Sequence, residues 1–534
     1  MDSAVASRSR HGRLNRATGD SFDLVVVGGG IHGVCVGALA AQAGLSVLLL
    51  EQRDYAHATS SRSSKMAHGG LRYLEMFDFQ QVFEGIKSRE ELFESCPNLV
   101  TPERFLIPIA RHDWWLRCKL GVGLFLYDRL VRKKERKHRW IARKSLAYKA
   151  FNPNRSDLAG CYQYTDGLMS DARLVFEVLA AGESHGLCAL NYARVEDIAQ
   201  HDDGMTITWR DMLRGESHTS STQLVVNCAG PWAPFLREKN APVESAPVVK
   251  YSRGSHLVFS VPWTDPSLFL PLAQKGRYYF VWPHPSGTMV GTTEREVEQL
   301  QADPLPTPDE IREILERLAK DLPGSGLTRE NMCYAFAGIR TLPLRNSSKG
   351  VSTLSRKHQW SFERGVLTLL GGKYTTFAWT AAEGLHKALE RLGKQHIGTP
   401  SLLSTLPSAV QESEQVSLLQ QLGSQHGYAG PGVIRAVRRL GKQVLGYVSR
   451  PELWQEVAPG VLRLEIVHAI ECEQAETIED VLRRRVELEA TPSHGKEALG
   501  ITKSELARKF SLEELQVQEA AWLEHLHAVG ELIR

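Results

Sequence analysis

Residues 23–51 read as an apolar run (DLVVV), a glycine turn (GGGIHG), an alanine-rich stretch (VCVGALAAQAGL) and a second apolar run closed by an acid (SVLLLE). Strand, tight turn, helix and strand in that order make a βαβ unit. Gly28, Gly30 and Gly33 form G-x-G-x-x-G directly after the first strand and at the mouth of the helix. Without side chains there, the backbone can approach a pyrophosphate, and the helix N-terminus stabilises its charge. Glu51 closes the second strand about 20 residues further on, where a carboxylate can hold both ribose hydroxyls of an ADP group. The pattern predicts a Rossmann-type nucleotide site.

A chain of 534 residues exceeds one ordinary core, so two or three domains are expected. Hydrophobic residues make up 42% and charged residues 23%, the balance of a soluble globular protein. The 64 basic residues nearly cancel the 61 acidic ones, for a net charge of +3. Nucleic-acid binding by bulk charge is thereby excluded, and any anion site must be local. Cys35, Cys96, Cys118, Cys161, Cys188, Cys228, Cys333 and Cys472 are scattered, with no C-x-x-C pair. They read as reduced, mostly buried thiols of a cytosolic protein, with no metal centre expected. No stretch approaches the roughly 20 apolar residues a spanning helix needs. The first twenty residues, rich in Arg and Ser and lacking an apolar segment, read as a disordered tail, with a mitochondrial transit peptide as the alternative.

Further along, residues 52–75 read as a polar loop and 76–150 as helices rich in aromatic and basic residues. A strand-and-helix passage over about 160–245 ends in QLVVN. Between 250 and 340, short β-like runs (SHLVFS, RYYFVW, TMVGTT) separated by Pro and Gly predict an antiparallel sheet, with a helix near 308–320. The run GVLTLL then meets Gly371-Gly372, where a helix is expected to begin. The fold class is α/β. A cofactor domain (about 21–95, 160–245 and 335–400) is interleaved with an antiparallel-sheet substrate domain (about 96–159 and 246–334), and a helical domain follows over 405–534.

The blocks GGGIHG, ATSSRSSK, HGGLRYLE, GLFLYDRL, DARL, GPW, GSHLVF, VGTTE, GIRTL and GGKYTT stand in one order along nearly the whole chain. In that order they resemble FAD-dependent glycerol-3-phosphate dehydrogenase, a member of the D-amino-acid-oxidase-like flavoproteins. The resemblance implies FAD held without a covalent bond. It also implies cofactor contacts at Thr59, Ser60, Ser64, Lys65, His68, Gly70, Val195, Gly230, Gly372 and Thr375, besides Gly28, Gly30, Gly33 and Glu51. Three blocks depart from the usual pattern, Arg253-Gly254-Ser255-His256, Ile339-Arg340-Thr341 and Thr292-Thr293-Glu294. These departures bear on substrate preference.

Oxidising a secondary alcohol through a flavin needs a base for the hydroxyl proton and positive charge near the flavin N1–C2=O edge. Backbone N–H groups at the Gly372 turn, with Lys373, suit the second need. A phosphate dianion calls for fork-shaped donors, for which Arg is better suited than Lys. Arg72 and Arg340 stand in the family blocks and are expected to bind it, with Arg356 as a further ligand. His256, with its near-neutral pKa, is the expected proton acceptor.

Residues 114–139 mix Trp, Leu and Phe with a run of bases, Arg132-Lys133-Lys134-Glu135-Arg136-Lys137. Such a segment is either a packed helix with a solvated face or an interfacial helix drawn to anionic lipid. The resemblance favours the second: a peripheral protein on the inner face of the plasma membrane that takes glycerol 3-phosphate and passes electrons to quinone. A homodimer is a further possibility. Transfer to oxygen, and an FAD-holding interaction protein without turnover, are the alternatives.

Overall fold

The computed structural model describes residues 9–71, 79–145, 157–240, 249–272, 278–344, 357–394 and 402–534. Two large sheets share the first two thirds of the chain. In the first, the strands Gln359–Glu363, Val366–Leu370, Ser217–Asn227, Ser21–Val27, Val47–Leu50 and Cys188–Leu190 lie side by side in that order. The central pairings are parallel: Val27 sits opposite Asn227 and Leu50, and Asn227 opposite Thr368. The strand Val47–Leu50 is buried throughout, as expected where helices cover both faces of a parallel sheet. The helix Ile31–Gln42 is itself buried almost all round, because the helices Asp171–Ser184 and Phe377–Arg391 pack against it.

The second sheet is mostly antiparallel. One of its two longest pairings runs between Val249–Phe259 and Met332–Pro343, with Gly254 opposite Gly338 and His256 opposite Phe336. On its other side His256 faces Gly291. The fold is therefore the expected one, a Rossmann-type sheet interleaved with an antiparallel sheet and followed by helices from Glu412 onward.

Several local expectations need correction. Residues 10–19 form a helix capped by the Ser9 side chain, not a disordered tail. Arg10 pairs with Asp211 and Arg13 with Glu183, each at 3.0 Å, so the arginines dock this helix onto the sheet. The segment 76–150 is not all helical, since Val100–Ala110 and Arg139–Ala142 are strands of the second sheet. Leu158–Met169 and Met332–Pro343 also lie in that sheet, although residues from 160 and from 335 are expected in the cofactor domain. Leu158–Met169 pairs with Val100–Ala110 along its whole length, and an apolar strand does not announce which sheet it joins. The helix expected at Gly372 begins at Phe377 instead, because Gly371 and Gly372 adopt φ of +73° and +110°, outside the right-handed helical region.

Candidate active site

At the carboxyl ends of the parallel strands, the turn after Ser21–Val27 opens into a cavity of about 510 Å³. Its geometry follows from the absence of side chains. Gly28 has φ +107°, and a Cβ there would come within 2.6 Å of the Cys228 carbonyl oxygen. A Cβ at Gly33 would overlap the Gly28 carbonyl. The two strands and the helix Ile31–Gln42 can thus approach closely enough for the helix N-terminus to face the cavity. The Ile31 N–H donates to the Ser60 hydroxyl at 3.0 Å. Glu51 is held by N–H donors from Gly29 (2.6 Å) and Arg53 (2.9 Å). Burial pushes its carboxyl pKa up and those two bonds oppose the rise.

The loop from Gln52 to Lys65 carries the next group. Thr59 donates to the Ile339 carbonyl at 2.7 Å, tying this loop to the second sheet. Ser64 Oγ lies 2.9 Å from His256 Nε2. Lys65 does not line the cavity. Its ammonium donates to Asp171 at 2.6 Å, and Asp171 also accepts from the Ser63 hydroxyl at 2.7 Å. Lys65 therefore locks the loop from behind. His68 and Gly70 line the cavity, and the His68 N–H donates to Thr375 Oγ1 at 3.3 Å. Val195, Gly230, Gly372, Lys373 and Thr375 line the cavity too.

From the second sheet come His256 and Arg340. The imidazole stacks on Phe336, with ring centroids 5.0 Å apart, and meets Trp282 edge-on at 6.1 Å. Burial, then the nearby Arg340 and Lys65 charges, hold its pKa well below the ordinary histidine range. The ring is thereby kept neutral, below the near-neutral pKa expected of it. Arg340 donates to Thr292 Oγ1 at 3.0 Å, and its guanidinium lies over Gly254, where a Cβ would overlap it. Gly291 leaves the same room for the His256 ring.

The structure thus gathers Gly28, Gly30, Glu51, Thr59, Ser60, Ser64, His68, Gly70, Val195, Gly230, His256, Arg340, Gly372, Lys373 and Thr375 around one cavity. Gly33 acts through packing, and Lys65 stands behind the wall. Arg72 and Arg356 lie outside the described residues. Sequence reading did not single out His32, Arg62 or Asp166, nor the aromatic wall of Tyr164, Phe269, Tyr278 and Phe280. For the wall the signal was present in YYFVW, where alternate aromatics of a strand share a face. Asp166 gave none: only the fold brings it to the Gly69 N–H, at 2.9 Å, and to Arg89, at 2.8 Å.

A nucleotide cradle on a parallel sheet, open toward a neutral imidazole and a guanidinium from a second sheet, defines a dinucleotide-dependent oxidoreductase. Residues 23–385 match the model of the FAD dependent oxidoreductase (DAO) family. The chain belongs to this family, and FAD is its cofactor. It is 30% identical over 497 residues to glycerol-3-phosphate dehydrogenase of Synechocystis sp., covering 87% of this chain and 88% of that one. It is 32% identical over 392 residues to aerobic glycerol-3-phosphate dehydrogenase of Staphylococcus aureus, covering 71% and 68%. Glycerol-3-phosphate dehydrogenase from Bacillus halodurans, solved with FAD, superposes with a TM-score of 0.79 at 22% identity over 99% of each chain.

Proposed function

We propose that the protein oxidises sn-glycerol 3-phosphate to dihydroxyacetone phosphate and passes the electrons to a membrane quinone. The observation that carries the reading is Arg340 laid over Gly254 beside the neutral His256, in the cavity that the glycine cradle opens. The relatives' shared name supplies the substrate. FAD, which the glycine cradle and the 51–65 loop would hold, would supply the acceptor for the hydride leaving the carbinol carbon. Arg340 offers a planar fork for the phosphate dianion. His256, uncharged and hydrogen-bonded to Ser64, takes the hydroxyl proton. Lys373 puts positive charge at the cavity, beside the Gly371–Gly372 turn that also lines it.

Delivery to quinone requires a membrane surface. The helix Trp114–Asp128 buries Leu120, Leu124 and Tyr127 against the protein. It leaves Trp114 66% and Trp115 68% exposed, with Val122, Phe125 and Leu126 also outward. Among the described residues no helix is long and apolar enough to cross a membrane. An exposed apolar face flanked by bases suits an interfacial docking helix, here at the inner face of the plasma membrane.

Anaerobic addition of glycerol 3-phosphate should bleach the flavin absorbance, and a soluble quinone analogue should restore it faster than air does. No bleaching would remove the substrate assignment. Bleaching followed by faster recovery in air would make the protein an oxidase.

A further inference from the structure

Among the described residues none beyond 375 lines the FAD cavity, yet the C-terminal helices grip the loop that builds it. The grip is made by Arg483, Arg484 and Arg485, which lie consecutively in the wide helical turn Asp480–Arg485 and are all buried. Buried guanidinium groups persist only when paired. Arg484 Nε donates to Asp54 Oδ2 at 2.6 Å, and Arg485 Nη2 to Asp54 Oδ1 at 2.9 Å. Asp54 is fully buried and stands three places after Glu51. Beside it, the Tyr55 hydroxyl donates to the Gln474 side chain at 3.2 Å. At the far end, Arg483 Nη1 lies 3.0 Å from Asp303, which also pairs with Arg62 of the loop. Ser170, next to the Asp171 that holds Ser63 and Lys65, donates to Glu487 at 3.0 Å.

Between Glu51 and Lys65 the only regular element is the short turn Thr59–Ser61. Such a segment has little backbone hydrogen bonding to hold it, and ordering it costs conformational entropy. The same segment presents Glu51, Thr59, Ser60 and Ser64 to the cavity. We propose that Arg483, Arg484 and Arg485 are positioning residues for FAD: the C-terminal helices clamp the 51–65 loop in its binding conformation without touching the cofactor. Because coupling between two sites is reciprocal, FAD in turn tightens the docking of residues 473–489.

Two measurements on the full chain test this. The first compares hydrogen exchange of the native protein with FAD bound and after its removal. FAD should slow exchange over residues 473–489 while the helix Glu412–His426 stays unchanged. Equal exchange over 473–489 in the two states would overturn the proposal. The second measures FAD dissociation constants for Arg485→Met and Arg485→Lys. Met should weaken FAD by about tenfold, with Lys recovering part of the loss by keeping a charge against Asp54. A folded Met variant that holds FAD within about twofold of the native protein would also overturn it. If that variant does not fold, the exchange comparison on the native chain decides.

Discussion

Arg340 and Gly254 form one device. The guanidinium occupies the space that a side chain at position 254 would fill, so the strand Val249–Phe259 carries a glycine where a strand usually prefers bulk. Arg340→Ala is expected to raise KM for glycerol 3-phosphate roughly tenfold to a hundredfold, since a hydrogen bond to a charged group contributes about 1.5–3 kcal/mol. FAD content should be unchanged. Gly254→Ala is expected to act in the same direction with little change in thermal stability, because the added methyl displaces the end of a long side chain and no backbone. Steady-state kinetics and flavin content of both variants check this. An unchanged KM in Gly254→Ala would separate Arg340 from substrate binding.

At the scale of single elements, Trp114–Asp128 is the segment whose sequence admitted two readings, and burial decides between its faces. Leu120, Leu124 and Tyr127 are core, whereas Trp115, Val122 and Leu126 form an outward apolar stripe. The following basic run is also sorted. Arg136 is buried against Glu90 at 2.9 Å and packs over Phe93, so it belongs to the interior. Lys133, Lys134 and Lys137 are exposed. Each base near an anionic surface contributes about 1 kcal/mol, screened within a Debye length. Changing Lys133, Lys134 and Lys137 to Gln should therefore reduce co-sedimentation with anionic vesicles at low salt, while binding to neutral vesicles through the Trp and Phe side chains persists. Equal sedimentation of native and triple-variant protein with anionic vesicles would remove the basic contribution. A native chain that sediments with neither vesicle would make the stripe a site for something other than lipid.

Across the whole molecule, buried and half-buried histidines of opposite character bracket the pH range of stability. Burial pushes His32 and His284 down to about 4 and His57 down to about 3. Each then contributes stability that is present above the ordinary value of 6.5 and is lost as pH falls from there toward the folded value. Burial also opposes the charging of His468 and His525, but the hydrogen bonds that the charged rings donate override it, to Cys472 and Glu473 for the first and to Asp303 and Glu489 for the second. Both are pushed up to about 9. Their contribution is complete below 6.5 and is lost as pH rises through 9. Each pH unit over which a group's charge state is held against its ordinary pKa corresponds to about 1.4 kcal/mol. Melting temperature of the FAD-loaded protein should therefore peak near neutral pH and fall on both sides. A flat profile from neutral down to pH of about 4 would mean that the buried histidines charge freely in the folded state.

Local pattern alone determined the cradle. A glycine turn between an apolar strand and a helix has few conformations, so Gly28, Gly30, Gly33 and Glu51 were legible from spacing. His256, Arg340 and Lys373 were legible only through block order, since a lone His or Arg carries no address. Tertiary structure decided what depends on distant partners. The arginines near the N-terminus became a docking helix because Asp211 and Glu183 lie opposite them. Lys65, grouped with the cofactor ligands, turned away from the cavity because Asp171 is buried behind the loop and requires a cation. The arginine triplet at 483–485 carries no address in the sequence of the helical domain and is interior, because Asp54 and Asp303 are brought to it from more than 170 residues away. Spacing along the chain encodes what neighbouring residues do together. Which charges meet across the fold is set only when the sheets and helices close on one another.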